Sequence, residues 1–181
     1  MGIADVHKVL AQLDHCAPGL AGWAEFEDLC TEVLSFLCVP PLERCIRQSR
    51  TFSGIERRDA VFPNRVSNGD GPWGRLLHEL DARMILFEFK NYDRTEVGKD
   101  EVNQTRNYLT KPMGRLAILC CRTAPTVSAY RKRNTIWSED GKVILFLTPA
   151  HLHEMVCMKE RGRDPGDLIL DLVERFYLEW E

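Results

Sequence analysis

The stretch ARMILFEFKN at residues 82–91 limits what this chain can fold into more than any other segment. Its apolar run Met84–Phe87 reads as a strand buried on both faces near the centre of a sheet. Side chains alternate across a strand, which puts Glu88 and Lys90 on one face and Ile85, Phe87 and Phe89 on the other. A carboxylate and an ammonium set into so apolar a strand cost free energy unless something uses them.

The segments around it fall into a regular order. Residues 4–14 and 23–38 read as helices. In the second, Phe26, Leu29, Cys30, Val33 and Leu37 form one apolar stripe, and Pro40-Pro41 ends it. Residues 44–52 and 56–63 read as strands joined by a turn at Ser53-Gly54. The Gly-, Pro- and Asn-rich run 64–74 reads as loop, within a long link 64–81. Strands are expected at 115–122 and 142–148, with helices at about 98–110, 126–137 and 150–160. Asp164-Pro165 should open a last helix running through Glu181, with Asp164 as its N-cap. The order α-α-β-β-β-α-β-α-β-α-α predicts an α/β fold with a mixed central sheet flanked by helices. A length of 181 residues fits a single domain, 1–181, with its core over about 23–150 and C-terminal helices over 151–181.

Several function classes drop out. The longest apolar runs, Met84–Phe87 and Val143–Leu147, are far shorter than the roughly 18 residues of a membrane span, so no membrane association is expected. The first residues, MGIADVHKVLAQLDHC, carry acids and no continuous apolar stretch, so no secretory signal is expected. Position 6 is Val where N-myristoylation needs Ser or Thr. The seven cysteines show no CxxC spacing, which reads as free thiols in a reducing cytoplasm rather than a zinc or disulfide framework. Neither a Gly-rich phosphate loop nor a G-x-S-x-G elbow occurs, and the five histidines offer no metal-ligand spacing. The net charge of −3 is uneven. Residues 111–142 hold seven basic and two acidic side chains, while residues 1–42 hold one and six. The middle of the chain can therefore present a basic face to a polyanion.

Asp59 is the carboxylate that can meet Glu88. On strand 56–63 it shares a face with Arg57 and Val61, and Arg58, Ala60 and Phe62 share the other. If the two strands neighbour each other, Asp59 and Glu88 converge beside Lys90. Two carboxylates suit a hard divalent cation, Mg²⁺ or Mn²⁺, which takes oxygen ligands and keeps several waters. A bound cation lowers the pKa of a water and neutralises developing charge, while Lys90 can position that water. Hydrolysis of a phosphodiester is the reaction this set fits. Arg57 and the cluster Arg131-Lys132-Arg133 on helix 126–137 are the candidate nucleic-acid contacts, and Trp73 is a candidate stacking residue with loop packing as its alternative.

The pattern Asp59, then Glu88-Phe89-Lys90 on a following strand after an N-terminal helix, resembles the PD-(D/E)xK nuclease superfamily. Trp23-Ala24-Glu25-Phe26-Glu27 is similar to the helix start of Mrr-like type IV restriction nucleases, and Gln104-Thr105-Arg106-Asn107-Tyr108 resembles the superfamily's QxxxY motif. Arg58 stands where the family has its Pro. The resemblance covers roughly residues 23–150 and implies a restriction-endonuclease-like αβββαβ core. It implies a Mg²⁺-dependent endonuclease acting on DNA, with RNA left open, and products bearing 5′-phosphate and 3′-hydroxyl ends. Asp59 and Glu88 would hold the metal, with the Phe89 carbonyl and Glu27 as further ligands. Gln104 and Tyr108 would support Lys90 or a phosphate. Glu27 lies on the border of the apolar stripe of its helix, better placed than Asp28 or Glu32 to reach such a site. Specificity would come from the 64–81 link, a homodimer or a partner protein, and a phage-defence role follows from the Mrr likeness alone. The alternative is a catalytically inactive nucleic-acid-binding or assembly module on the same fold.

Overall fold

The computed structural model describes residues 2–50, 54, 57–66, 71–93 and 95–180. Helices α1 (Ile3–His15) and α2 (Trp23–Cys38) come first, linked through a short 3-10 helix, Gly19–Gly22. Strands β1 (Ile46–Arg50) and β2 (Arg57–Pro63) follow, then α3 (Gly71–Leu80) and β3 (Met84–Lys90). Next come α4 (Lys99–Tyr108), β4 (Leu116–Cys121), α5 (Val127–Asp140) and β5 (Val143–Leu147). Helices α6 (Pro149–Glu160) and α7 (Gly166–Glu179) end the chain. Ser53 of the expected turn and Glu56 of the expected strand lie outside the described residues.

The sheet runs β1-β2-β3-β4-β5. β1, β2 and β3 pair antiparallel, and β3, β4 and β5 pair parallel, so the sheet is mixed and β3 sits at its centre. The alternation read from the sequence sorts the core. Ala60, Phe62, Ile85, Phe87 and Phe89 pack under α1, α2, α3, α6 and α7. Val61, Leu86, Ala117 and Leu119 pack under α4 and α5. Phe62 and Phe87 meet edge-to-face at 5.5 Å on the first of these sides, a pair worth about 1 kcal/mol beyond its buried area. Beyond β5, Trp137 of α5 packs against Phe176 and Tyr177 of α7, so the sheet edge is covered. Among the described residues no helix is long and apolar enough to cross a membrane.

The link between the acidic strands departs from expectation. Gly71–Leu80 is a helix, not loop. Pro72 is tolerated in a first helical turn, and Trp73, Leu76 and Leu80 bury one stripe in the core. Trp73 is 1% exposed, so it packs and is closed to stacking on a ligand. Its ring lies where a Cβ on Gly166 would come within 2.6 Å of Nε1, which explains the glycine at the start of α7. Asp164 does serve that start, although the helix begins two residues later: its Oδ1 accepts from the Gly166 N–H at 2.8 Å.

One glycine fixes how β4 enters the sheet. Gly114 has φ +96°, and a Cβ there would lie 2.0 Å from the Asp81 carbonyl oxygen. Its neighbours tie the two strand entries together, Met84 N–H to the Met113 carbonyl and Arg115 N–H to the Leu80 carbonyl. Gly114→Ala adds both a backbone collision and a disfavoured φ. It is expected to cost about 2–4 kcal/mol, read as a lowered urea midpoint with unchanged slope.

Candidate active site

The register of β2 on β3 brings the two acids together. Val61 lies opposite Leu86 and Ala60 opposite Phe87, and the same register carried towards Arg57 sets Asp59 beside Glu88. The contacts cross. The Asp59 N–H donates to Glu88 Oε1 at 3.3 Å, and the Phe89 N–H donates to Asp59 Oδ2 at 3.1 Å. Asp59 is 6% exposed and Glu88 2%. Burial pushes the Glu88 carboxyl well above the ordinary carboxylate range, and the Asp59 charge pushes it further, while Lys90 pulls the other way with less force.

Lys90 projects from the same face of β3. Its Nζ is 3.9 Å from Glu88 Oε2 and donates to Gln104 Oε1 at 3.2 Å. Gln104 Nε2 in turn donates to the Tyr108 hydroxyl at 2.8 Å. The two α4 residues are held because Val102 and Tyr108 bury against the sheet. Glu101 caps the helix start, its Oε2 accepting from the Gly98 N–H and its Oε1 from the Tyr92 hydroxyl. Asp59, Glu88, Lys90, Gln104 and Tyr108 line one cleft of about 250 Å³, with Trp23, Arg57 and Phe89. The Arg57 guanidinium lies 5.5 Å over the Trp23 ring.

Glu27 is placed differently. It is buried, accepts from Gln48 Nε2 and lies 3.9 Å from Arg47 Nη2. Burial raises its pKa first and the charge of Asp59 second, against Gln48, Arg47 and Arg57. It therefore feels Asp59, but it stands outside the residues lining the cleft. Among the described residues no group of three or more His, Cys, Asp or Glu side chains gathers closely enough to hold a metal ion. The carboxylates that meet most directly are two, Asp59 and Glu88.

The basic candidates also divide. Arg57 lines the cleft, whereas Arg131 and Lys132 do not. Arg133 is set apart from Arg131 and Lys132 by its burial against aromatic rings. Its side chain is 11% exposed and its guanidinium packs over Tyr130, Phe146 and Phe176. Burial disfavours this cation and lowers its pKa from the ordinary arginine value, while the ring faces and Glu179 pull the other way.

Two residues that build the site went unread in the sequence. Asn91, next after Lys90, is buried; its Nδ2 donates to the Ala17 and Gly19 carbonyls, pinning the turn that carries Trp23 to the end of β3. An amide ending so apolar a strand is a signal that was there to find. Gln48 has φ 50° on β1, a conformation a side-chain-bearing residue rarely adopts, and it reaches Glu27. Nothing in the sequence marks that strain. Comparison with known protein families, curated proteins and solved structures finds no match for this chain.

Proposed function

We propose that this protein is a divalent-metal-dependent nuclease of restriction-endonuclease-like fold that hydrolyses phosphodiesters in DNA. One observation carries this reading: Asp59 and Glu88, far apart in sequence, cross-bond on neighbouring strands in one cleft with Lys90. Two buried carboxylates facing one ammonium leave an excess of negative charge in a poorly solvated place, and a divalent cation relieves it. The order α2-β1-β2-β3-α4-β4, with α3 inserted before β3, supports the fold reading.

Asp59 and Glu88 are the residues that would hold Mg²⁺ or Mn²⁺, with the Phe89 carbonyl as a further oxygen donor and Glu27 acting at most through water. When bound, the ion supplies a water of lowered pKa and neutralises charge on the phosphate. The remaining work falls to the chain itself. Lys90 holds the attacking water against the phosphorus, and Gln104 and Tyr108 fix the lysine. Water oxygen bonds to phosphorus, giving up one proton to solvent, as the bond to the 3′ oxygen breaks; that oxygen takes a proton from solvent and leaves as a hydroxyl. Arg57 anchors a neighbouring phosphate.

The second reading, an inactive binding module, is favoured by the two-carboxylate count at the cleft. Nicking of supercoiled plasmid separates them. Mg²⁺- or Mn²⁺-dependent nicking that is lost in Asp59→Ala, together with metal binding, supports the nuclease. Binding of nucleic acid without cleavage under any divalent metal supports the module. Gln104→Ala leaves the acids untouched and frees Lys90 to wander. It is expected to lower the cleavage rate by about 10-fold with metal affinity unchanged, measured by single-turnover kinetics.

A further inference from the structure

We infer that the pocket where α5, α6 and α7 meet around β5 binds a phosphate monoester group, at a site separate from the carboxylate cleft. The pocket encloses about 180 Å³ and takes one cationic or N–H-bearing side chain from each helix: Arg133, His151 and Arg175. Tyr130, Phe146 and Phe176 form its apolar walls. The cleft lies at β2 and β3, so β4 separates the two sites in the sheet.

Each of the three nitrogen groups has unused capacity. Arg133 Nε is buried and has no hydrogen-bond acceptor among the described residues. Its ion pair, Glu179 at 4.0 Å, comes from a side chain 60% exposed, a contact of the weak surface kind. Its guanidinium lines the pocket with no stronger charged partner than this among the described residues, so its charge is available to an anion there. His151 Nδ1 accepts from the Thr148 backbone N–H at 3.0 Å, so in the neutral ring the proton sits on Nε2. That nitrogen has no partner among the described residues. Arg175 is exposed and makes no ion pair among the described residues, yet its charge is felt at His151.

Three donors from three helices match a tetrahedral oxyanion with three terminal oxygens, whereas a carboxylate offers two in one plane. The volume is below the roughly 300 Å³ of ordinary ligand sites, so only a group of a few atoms is enclosed. The rest of the molecule would extend past Tyr130, an exposed ring able to stack a base. Glu179 at the rim disfavours higher negative charge. The source is either a free nucleotide or the phosphorylated end of a nucleic-acid strand; the phosphate monoester is common to both.

Titration calorimetry of the whole chain with inorganic phosphate, in EDTA so that the carboxylate cleft holds no metal, tests this. Saturable one-to-one binding is expected. Arg175→Ala, at an exposed position, should fold as the parent by circular dichroism and weaken binding by about 10-fold or more. Lys90→Met in the cleft should leave it unchanged. Absence of saturable binding up to about 10 mM phosphate overturns the inference, as does equal affinity in Arg175→Ala, or competition by acetate as strong as by phosphate. Two further ligands identify the source. Displacement by an oligonucleotide with a 5′-phosphate, and not by its 5′-hydroxyl twin, assigns a strand end. Displacement by a nucleoside 5′-monophosphate alone assigns a free nucleotide.

Discussion

Lys90→Met is expected to lower phosphodiester cleavage by at least about 10³-fold while leaving Mn²⁺ binding in place. The substitution keeps the length and apolar stem of the side chain and removes only the ammonium. Lys90 Nζ stands between Glu88 Oε2 and Gln104 Oε1, close to the acids but bonded on its far side to α4. A group so placed can reach a water held by the carboxylates without itself being a ligand. Loss of one such preorganised donor costs about 10²–10³ in other enzymes, and loss of proton handling adds to it. Mn²⁺ affinity should hold or rise, since a competing positive charge has gone. Single-turnover cleavage and calorimetric metal titration of the same variant check both halves. A variant that cuts at more than a tenth of the parent rate would remove Lys90 from the chemistry. A variant that loses metal binding as well would make Lys90 a structural support of the acids.

The grouping of side chains in this cleft is legible in the sequence because it is written in period two. Glu88 and Lys90 stand out on an apolar strand, and Asp59 falls on the matching face of its neighbour, so antiparallel pairing was enough to bring them together. Gln104 and Tyr108, one helical turn apart, could be paired in the same way. Helix α3 could not be read. Gly71, Pro72 and Gly74 are loop residues by local propensity, and the helix exists because Trp73, Leu76 and Leu80 find the core. The burial of Arg133 is hidden from the sequence for a related reason. A basic run on a helix looks solvated until tertiary structure brings Phe146 and Phe176 to one of its members. Glu27 lies on the border of its stripe; which side of that border it falls on depends on Gln48, a residue of β1 ten positions past the end of α2. Local pattern gave the elements and faces; contacts between distant segments decided which charges are buried.

Glu88→Gln should make the protein more stable at alkaline pH while abolishing its response to metal. In the folded chain, burial and the Asp59 charge hold the Glu88 carboxyl protonated to higher pH than in the unfolded chain. The folded state then binds more protons across that window, so stability falls as pH rises from the ordinary carboxylate range through the raised value. Below the window the group is neutral in both states and carries no penalty; above it the penalty is complete. Glutamine keeps the carbonyl oxygen that accepts from the Asp59 N–H and removes the charge. Near pH 4 the variant should therefore melt close to the parent, and near pH 9 it should be more stable by about 1–2 kcal/mol, a rise of roughly 2–8 °C. Glu27, whose carboxyl is also raised, leaves a smaller slope of the same sign in both proteins. A divalent cation reverses the parent's deficit, because it binds the ionised pair and not the unfolded chain. At 100 times its Kd it adds about 2.7 kcal/mol, chiefly at the alkaline end. Melting curves with and without Mn²⁺ at the two pH values separate the claims. A parent that gains nothing from Mn²⁺ near pH 9 defeats the metal site, and a variant no more stable than the parent there defeats the buried-charge account of Glu88.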